Sequence, residues 1–175
     1  MVEQLHELCF RFTNAMDAFK VSHEGRCYSF GHILSEGLSR AGFKAKRTSG
    51  HFLIRDKFGI SVVYGDNKFD GIYIGDFHCW CVLEYKGEKI IIDASLKYNK
   101  KWLINYGVEP HEELLDTYIG TEANSWLITY IEDESNDYIT QECIDETDPY
   151  FLELLINIIN KDSLELLKSD SSKSI

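Results

Sequence analysis

The hydrophobic period of this chain changes at Gly42, and that change restricts the fold more than any other feature. Before it, apolar residues recur at helical spacing; after it they alternate. Residues 2–21 carry Leu5, Cys9, Phe12, Met16 and Phe19 three or four positions apart, which predicts an amphipathic helix. A second helix is predicted from Gly25–Cys27, with Phe30, Ile33, Leu34, Leu38 and Ala41 as its buried stripe and Gly42 as its stop. Strands are then predicted over 43–47, 50–55 and 60–64, followed by a loop over 65–75 rich in Gly, Asp and Asn. The clearest local signal is a hairpin, 77–85 and 88–94, joined by a Lys86-Gly87 turn. Helices first and mostly antiparallel strands after them define an α+β chain.

Beyond the hairpin, 110–118 reads as helical, and 125–131 with 138–143 reads as further strands. Asp148-Pro149 is an N-cap with proline at the first helical position. It opens a helix through about Ile159, extendable to Leu167, with Leu152, Leu155, Ile156 and Ile159 as its packed face. At 175 residues the chain suits one domain, assigned to residues 1–168, with the polar tail 169–175 read as frayed. No internal repeat is visible.

Charge is unevenly spread. Residues 1–101 hold 15 Lys/Arg and 12 Asp/Glu, whereas 102–160 hold 14 acids and no Lys or Arg. A net charge of −11 argues against general nucleic-acid binding, which needs a basic face to neutralise phosphates. The acidic 102–168 region reads as an extension with a solvated surface, or as a face for a basic partner. No apolar run reaches the ~20 residues that span a bilayer, and the scattered charges of residues 1–20 do not read as a secretory signal. Five cysteines, an odd number without regular spacing, suit a reducing, cytoplasmic setting.

Three residues stand out for chemistry: Cys27, His78 and Asp93. Cys27 follows Gly25-Arg26 at a predicted helix start, where the dipole and Arg26 both favour thiolate. His78 and Asp93 flank the hairpin, 15 residues apart. A Lys86-Gly87 turn pairs Tyr85 with Glu88, hence Trp80 with Asp93, and leaves His78 one diagonal step away on the same face. A register shifted by two residues would set His78 directly opposite Asp93. Either ladder lets the carboxylate hold the imidazole while the other ring nitrogen faces a thiol. Each residue also has a plain structural explanation: a buried thiol, a strand histidine, an Asp closing a strand. Cys79 and Cys81 alternate to the opposite face and read as core. A zinc site from Cys79, Cys81, His78 and Cys27 lacks ligand spacing, and no phosphate-binding glycine loop occurs. No cofactor is expected.

The stretch Gly25-Arg26-Cys27-Tyr28-Ser29-Phe30, continuing through Leu34 and Leu38 to Ala41-Gly42-Phe43-Lys44-Ala45, resembles the nucleophile helix of transglutaminase-like members of the papain-like superfamily. His78-Cys79-Trp80-Cys81-Val82-Leu83-Glu84 resembles that branch's His-x-Trp-x-x-x-Glu strand, and Ile90-Ile91-Ile92-Asp93 resembles its closing Asp strand. The likeness covers roughly 22–97. Arylamine N-acetyltransferases, the nearest alternative, share the Cys, His, Asp order, but Tyr28-Ser29-Phe30-Gly31 departs from their pattern. The resemblance implies a papain-like fold with Cys27 as nucleophile, His78 as base and then acid, and Asp93 as orienter. It further implies acyl transfer from an amide or thioester to water or an amine, through an acyl-cysteine. Trp80 could wall such a site. Papain-type proteases carry an oxyanion Gln a few residues before the nucleophile, and 19–24 offer none, so His23, the Cys27 backbone N–H or another donor would have to serve. The expected substrate is a peptide, protein or small amine or amide, cationic if the acidic region forms its rim. The competing expectation is a non-catalytic module on the same scaffold that binds a basic protein.

Overall fold

The computed structural model describes residues 1–19, 22–66 and 68–168. Helix α1, Val2–Asp17, buries the predicted Leu5, Cys9, Phe12 and Met16 and also Leu8, while Phe19 lies beyond its end and is half-buried. Helix α2, Cys27–Arg40, ends where Gly42 adopts a left-handed φ of +88°. There the Gly42 N–H donates to the Ser39 carbonyl (2.9 Å) and the Phe43 N–H to the Leu38 carbonyl (3.0 Å), a Schellman stop that glycine permits without strain.

The two strands predicted over 43–55 are one strand, β1, Lys44–Arg55. It pairs antiparallel with β4 (His78–Tyr85) through its first half, and with β2 (Ser61–Tyr64) and β7 (Ile128–Glu132) through its second. Strand β5, Glu88–Asp93, completes the hairpin with β4, and β6, Tyr118–Gly120, pairs with β5. The segment expected to be loop over 65–75 contains β3, Ile72–Gly75, added parallel to β2. Its short length and flanking glycines masked it in the sequence. Among the described residues the sheet has seven strands, all but one of the pairings antiparallel.

Further differences have local causes. Residues 110–118 are not helical, because an Asp56–Pro110 bridge and a Lys57 N–H bond to the Glu109 carbonyl hold the segment's start against the end of β1. The expected strand at 138–143 lies in helix α4, Asp137–Asp145, whose buried residues Thr140 and Ile144 are four apart. Its aromatic and β-branched residues suggested a strand, but helical period decides. Helix α3, Leu96–Asn105, had no counterpart in the sequence reading, since lysines interrupt its apolar positions. Helix α5, Pro149–Leu166, opens as predicted: the Asp148 side chain accepts from the Tyr150 N–H (2.9 Å), and Leu152, Leu155, Ile156 and Ile159 are buried. The predicted tail 169–175 lies outside the described residues.

The alternating strands bury both faces of the sheet. Cys81, Leu83, Ile90 and Ile92 pack on α1, α2 and α5. Trp80, Val82 and Ile91 pack on the other side with Phe52, Tyr64, Leu96, Leu103 and Tyr130. Part of the acidic second half pairs with the basic first half, through Lys46–Glu132, Lys57–Glu109, Lys100–Asp116 and Arg40–Glu153. Among the described residues no helix is long and apolar enough to cross a membrane.

At Gly37 α2 lies close against α5: a Cβ there would stand 2.5 Å from the Cβ of Ile159. Gly37→Ala is therefore expected to cost about 1–3 kcal/mol by overpacking. Ile159→Ala removes the Cγ2, which would also stand 2.5 Å away, but keeps the Cβ, so it should cost less in the Gly37→Ala background than in wild type, a coupling that a urea-unfolding double-mutant cycle measures directly.

Candidate active site

The hairpin turn sets the geometry of the site. Lys86 (φ +51°) and Gly87 (φ +85°) both take left-handed conformations, a two-residue turn whose twist matches the strands it joins. It pairs Tyr85 with Glu88 and carries the ladder to Cys81 opposite Ile92. Of the two registers considered, this is the one that places His78 a diagonal step from Asp93. The His78 Nε2–H donates to Asp93 Oδ2 at 2.7 Å. An ionised carboxylate can only accept, so the proton of this bond sits on Nε2.

Asp93 is fully buried and receives three further bonds. The Tyr130 hydroxyl donates to Oδ2 (3.0 Å), while the Ser95 N–H (2.9 Å) and Ser95 hydroxyl (2.7 Å) donate to Oδ1. Burial alone would raise its carboxyl pKa, but His78 and Ser95 outweigh that and hold it below the usual carboxylate value. Tyr130 moves the other way: burial and the Asp93 charge push its phenol well above the usual value, so it stays a donor.

His78 is 0% exposed and lies in an aromatic cage. Phe52 stacks on it at 4.4 Å between ring centroids, with Tyr64 at 5.6 Å, Trp80 at 6.1 Å and Tyr130 at 6.3 Å. Burial favours a neutral imidazole, yet Asp93 and the Cys27 sulfur together raise its pKa to about 10. With Nε2 committed to Asp93, Nδ1 is the ring nitrogen left for the Cys27 sulfur. Among the described residues Nδ1 has no hydrogen-bond partner of standard geometry, and the Cys27 sulfur acts on the ring first through its charge.

Cys27 is the first residue of α2 and is 6% exposed. Its N–H belongs to the first turn, whose donors have no partner within the helix. Gly31, one turn on, lets the helix lie against β4: a Cβ there would meet the Cys79 Sγ at 2.7 Å and the Trp80 backbone at 3.2 Å. The structure thus brings Cys27, His78, Asp93 and Trp80 together. His23 is placed elsewhere. Its Nε2 bonds the Met16 carbonyl (2.8 Å) and its ring meets Tyr98 and Phe30 edge-on, so it belongs to the packing of α1 on α2. Cys79 and Cys81 are buried. Among the described residues no cluster of His, Cys, Asp or Glu is arranged to hold a metal.

Sequence reasoning missed Tyr130, Ser95, Tyr64 and Phe52. Ser95 had a signal, since Asp followed two residues later by Ser is a local side-chain-to-backbone turn. The others come from strands whose pairing no local pattern specifies. Beside the start of α2, a cavity of about 540 Å³ is bounded by Phe19, Arg26, Tyr28, Cys143, Glu146, Asp148 and Tyr150, among others.

No family model matches the chain, and no curated protein does. A solved structure described as the genomics target APC5867 is similar in fold, with a TM-score of 0.52 and 11% identity over 91% of this chain and 77% of that one. That likeness supports the mixed α+β architecture and carries no function.

The raised imidazole makes a pH prediction. A basic group whose folded pKa lies above its unfolded value stabilises the fold fully below about 6.5, the unfolded histidine value. The contribution is lost as pH rises through about 10. Relative to wild type, His78→Gln should therefore lose most stability at pH 6 and least above pH 10, measured as the difference in urea-unfolding free energy.

Proposed function

We propose that this chain is a papain-like, transglutaminase-like cysteine enzyme that transfers acyl groups through Cys27. The observation that carries the reading is the buried His78, anchored through Nε2 by Asp93 and presenting Nδ1 to a cysteine at a helix N-terminus. A histidine oriented by a carboxylate and facing a thiol is the arrangement that nucleophilic acyl transfer needs.

In this reading the Cys27 proton already rests on His78, whose raised pKa favours the ion pair, and the Cys27 thiolate Sγ bonds the acyl carbon. The carbonyl π pair moves onto oxygen, then reforms the double bond as the leaving group departs with the proton from His78. The acyl-cysteine is resolved by water or an amine, which His78 deprotonates in turn. Asp93 keeps the ring oriented and stabilises the imidazolium, while Tyr130 and Ser95 hold Asp93. Trp80 walls the site. The substrate is an amide or thioester of a peptide, protein or small amine in a cytoplasmic setting. It approaches past Arg26 and Tyr28, and the acidic Glu146 and Asp148 of the neighbouring cavity favour a cationic group there.

The near closure of Cys27 favours a second reading, a non-catalytic module binding a basic protein. Iodoacetamide labelling read by peptide mass spectrometry separates the two. Catalysis predicts that Cys27 labels well ahead of the other four cysteines and that His78→Ala slows it at least ~10-fold. Comparably slow labelling of several thiols, indifferent to His78→Ala, would leave the binding module. For substrate charge, cationic acyl substrates should turn over faster than anionic analogues at low salt, and the gap should narrow as salt is added. Equal rates at low salt would remove the cationic preference.

A further inference from the structure

We propose that Tyr64 supplies the oxyanion donor that the sequence lacks, its hydroxyl hydrogen-bonding the tetrahedral oxygen formed when Cys27 is acylated. This rests on the nucleophilic reading of Cys27 given above.

Tyr64 is 4% exposed and its hydroxyl has no hydrogen-bond partner among the described residues, an uncommon condition for a buried donor. Such a group costs stability unless something else is meant to occupy it. Its position is built rather than incidental. Strand β2 is in register with β3 at Val62 and Val63 but shifts at Tyr64, an irregularity of the kind that re-aims a side chain beside a site. Tyr64 pairs with Gly75 across that shift, and Gly75 clears the space for the ring: a Cβ there would stand 2.9 Å from Tyr64 Cδ1. The ring then lies 5.6 Å from His78 and 5.7 Å from Phe52, inside the cage around the imidazole.

The hydroxyl is the right species for the task. Burial, and then the charges of Cys27 and Asp93, push its pKa well above the usual phenol value, so it holds its proton at neutral pH. In the resting site no acceptor meets it; in the tetrahedral intermediate the former carbonyl oxygen does. A bond made only at that stage accelerates the chemical step rather than binding the ground state.

Two reactions at the same sulfur test this. Acylation by p-nitrophenyl acetate passes through an oxyanion, whereas alkylation by iodoacetamide is a direct displacement and does not. Tyr64→Phe removes the hydroxyl alone. It should lower the acylation rate, read as p-nitrophenolate burst, by about 10²–10³-fold. Alkylation of Cys27 should stay within about twofold, and the urea midpoint should match or exceed wild type, since an unpaired buried donor is gone. An unchanged acylation rate would overturn the proposal. Equal losses in both reactions would overturn it too, by placing Tyr64 on the thiolate instead. If wild-type Cys27 is neither selectively alkylated nor acylated, the nucleophilic reading itself fails, an outcome visible before any Tyr64 variant is made.

Discussion

The Asp93 carboxylate organises this molecule. A charge with no access to water is tolerated only if its lone pairs are met, and here four donors meet them. Those donors come from β4, from β7 and from Ser95 at the entry to α3, so one carboxylate at the end of β5 ties together elements far apart in the chain. Tyr130 reaches Asp93 although β7 hydrogen-bonds to β1 and not to β5, because β7 follows β4 along β1. Removing a partner would leave a buried charge uncompensated, a loss of about 3–5 kcal/mol in comparable pairs. The same bonds that stabilise the fold also orient His78.

The second half of the site arrives from the helical layer, and close packing delivers it. Helix α2 can rest on the backbone of β4 because position 31 has no side chain, and it can rest on α5 because position 37 has none. These two contacts set how near the first turn of α2, with Cys27, comes to His78. The aromatic rings around the imidazole keep water out, which strengthens every charge interaction within the cage. A buried cluster with a fixed carboxylate and a thiol at a helix start has its polar groups held in place by the fold itself.

Several features of this arrangement were legible in the residues themselves. The register of β4 on β5 follows from Lys86-Gly87, since a two-residue turn of this hand admits one ladder. The stop at Gly42 and the start at Asp148-Pro149 are equally local, each depending on one or two backbone hydrogen bonds. Where reading failed, local preference and tertiary demand disagreed. The run at 138–143 looks like a strand until Thr140, bonded to Ser49, and Ile144 take the buried positions. Likewise, 110–118 has helix-forming residues but is drawn against the end of β1.

Cys27, His78 and Asp93 could be singled out in advance because each sits at a position with its own local signature: a helix start and the two arms of a tight hairpin. Tyr130 and Tyr64 could not. Their strands find their neighbours through long-range pairing with β1 and β3, and an aromatic residue in a strand looks the same whether it fills a core or lines a site. Sequence alone determined where the chain turns, which faces are apolar and which residues could be reactive, because those depend on backbone conformation and short-range periodicity. Only the tertiary structure decided which hydroxyl holds the carboxylate and which is left unpaired, because that depends on how the sheet brings strands distant in sequence together.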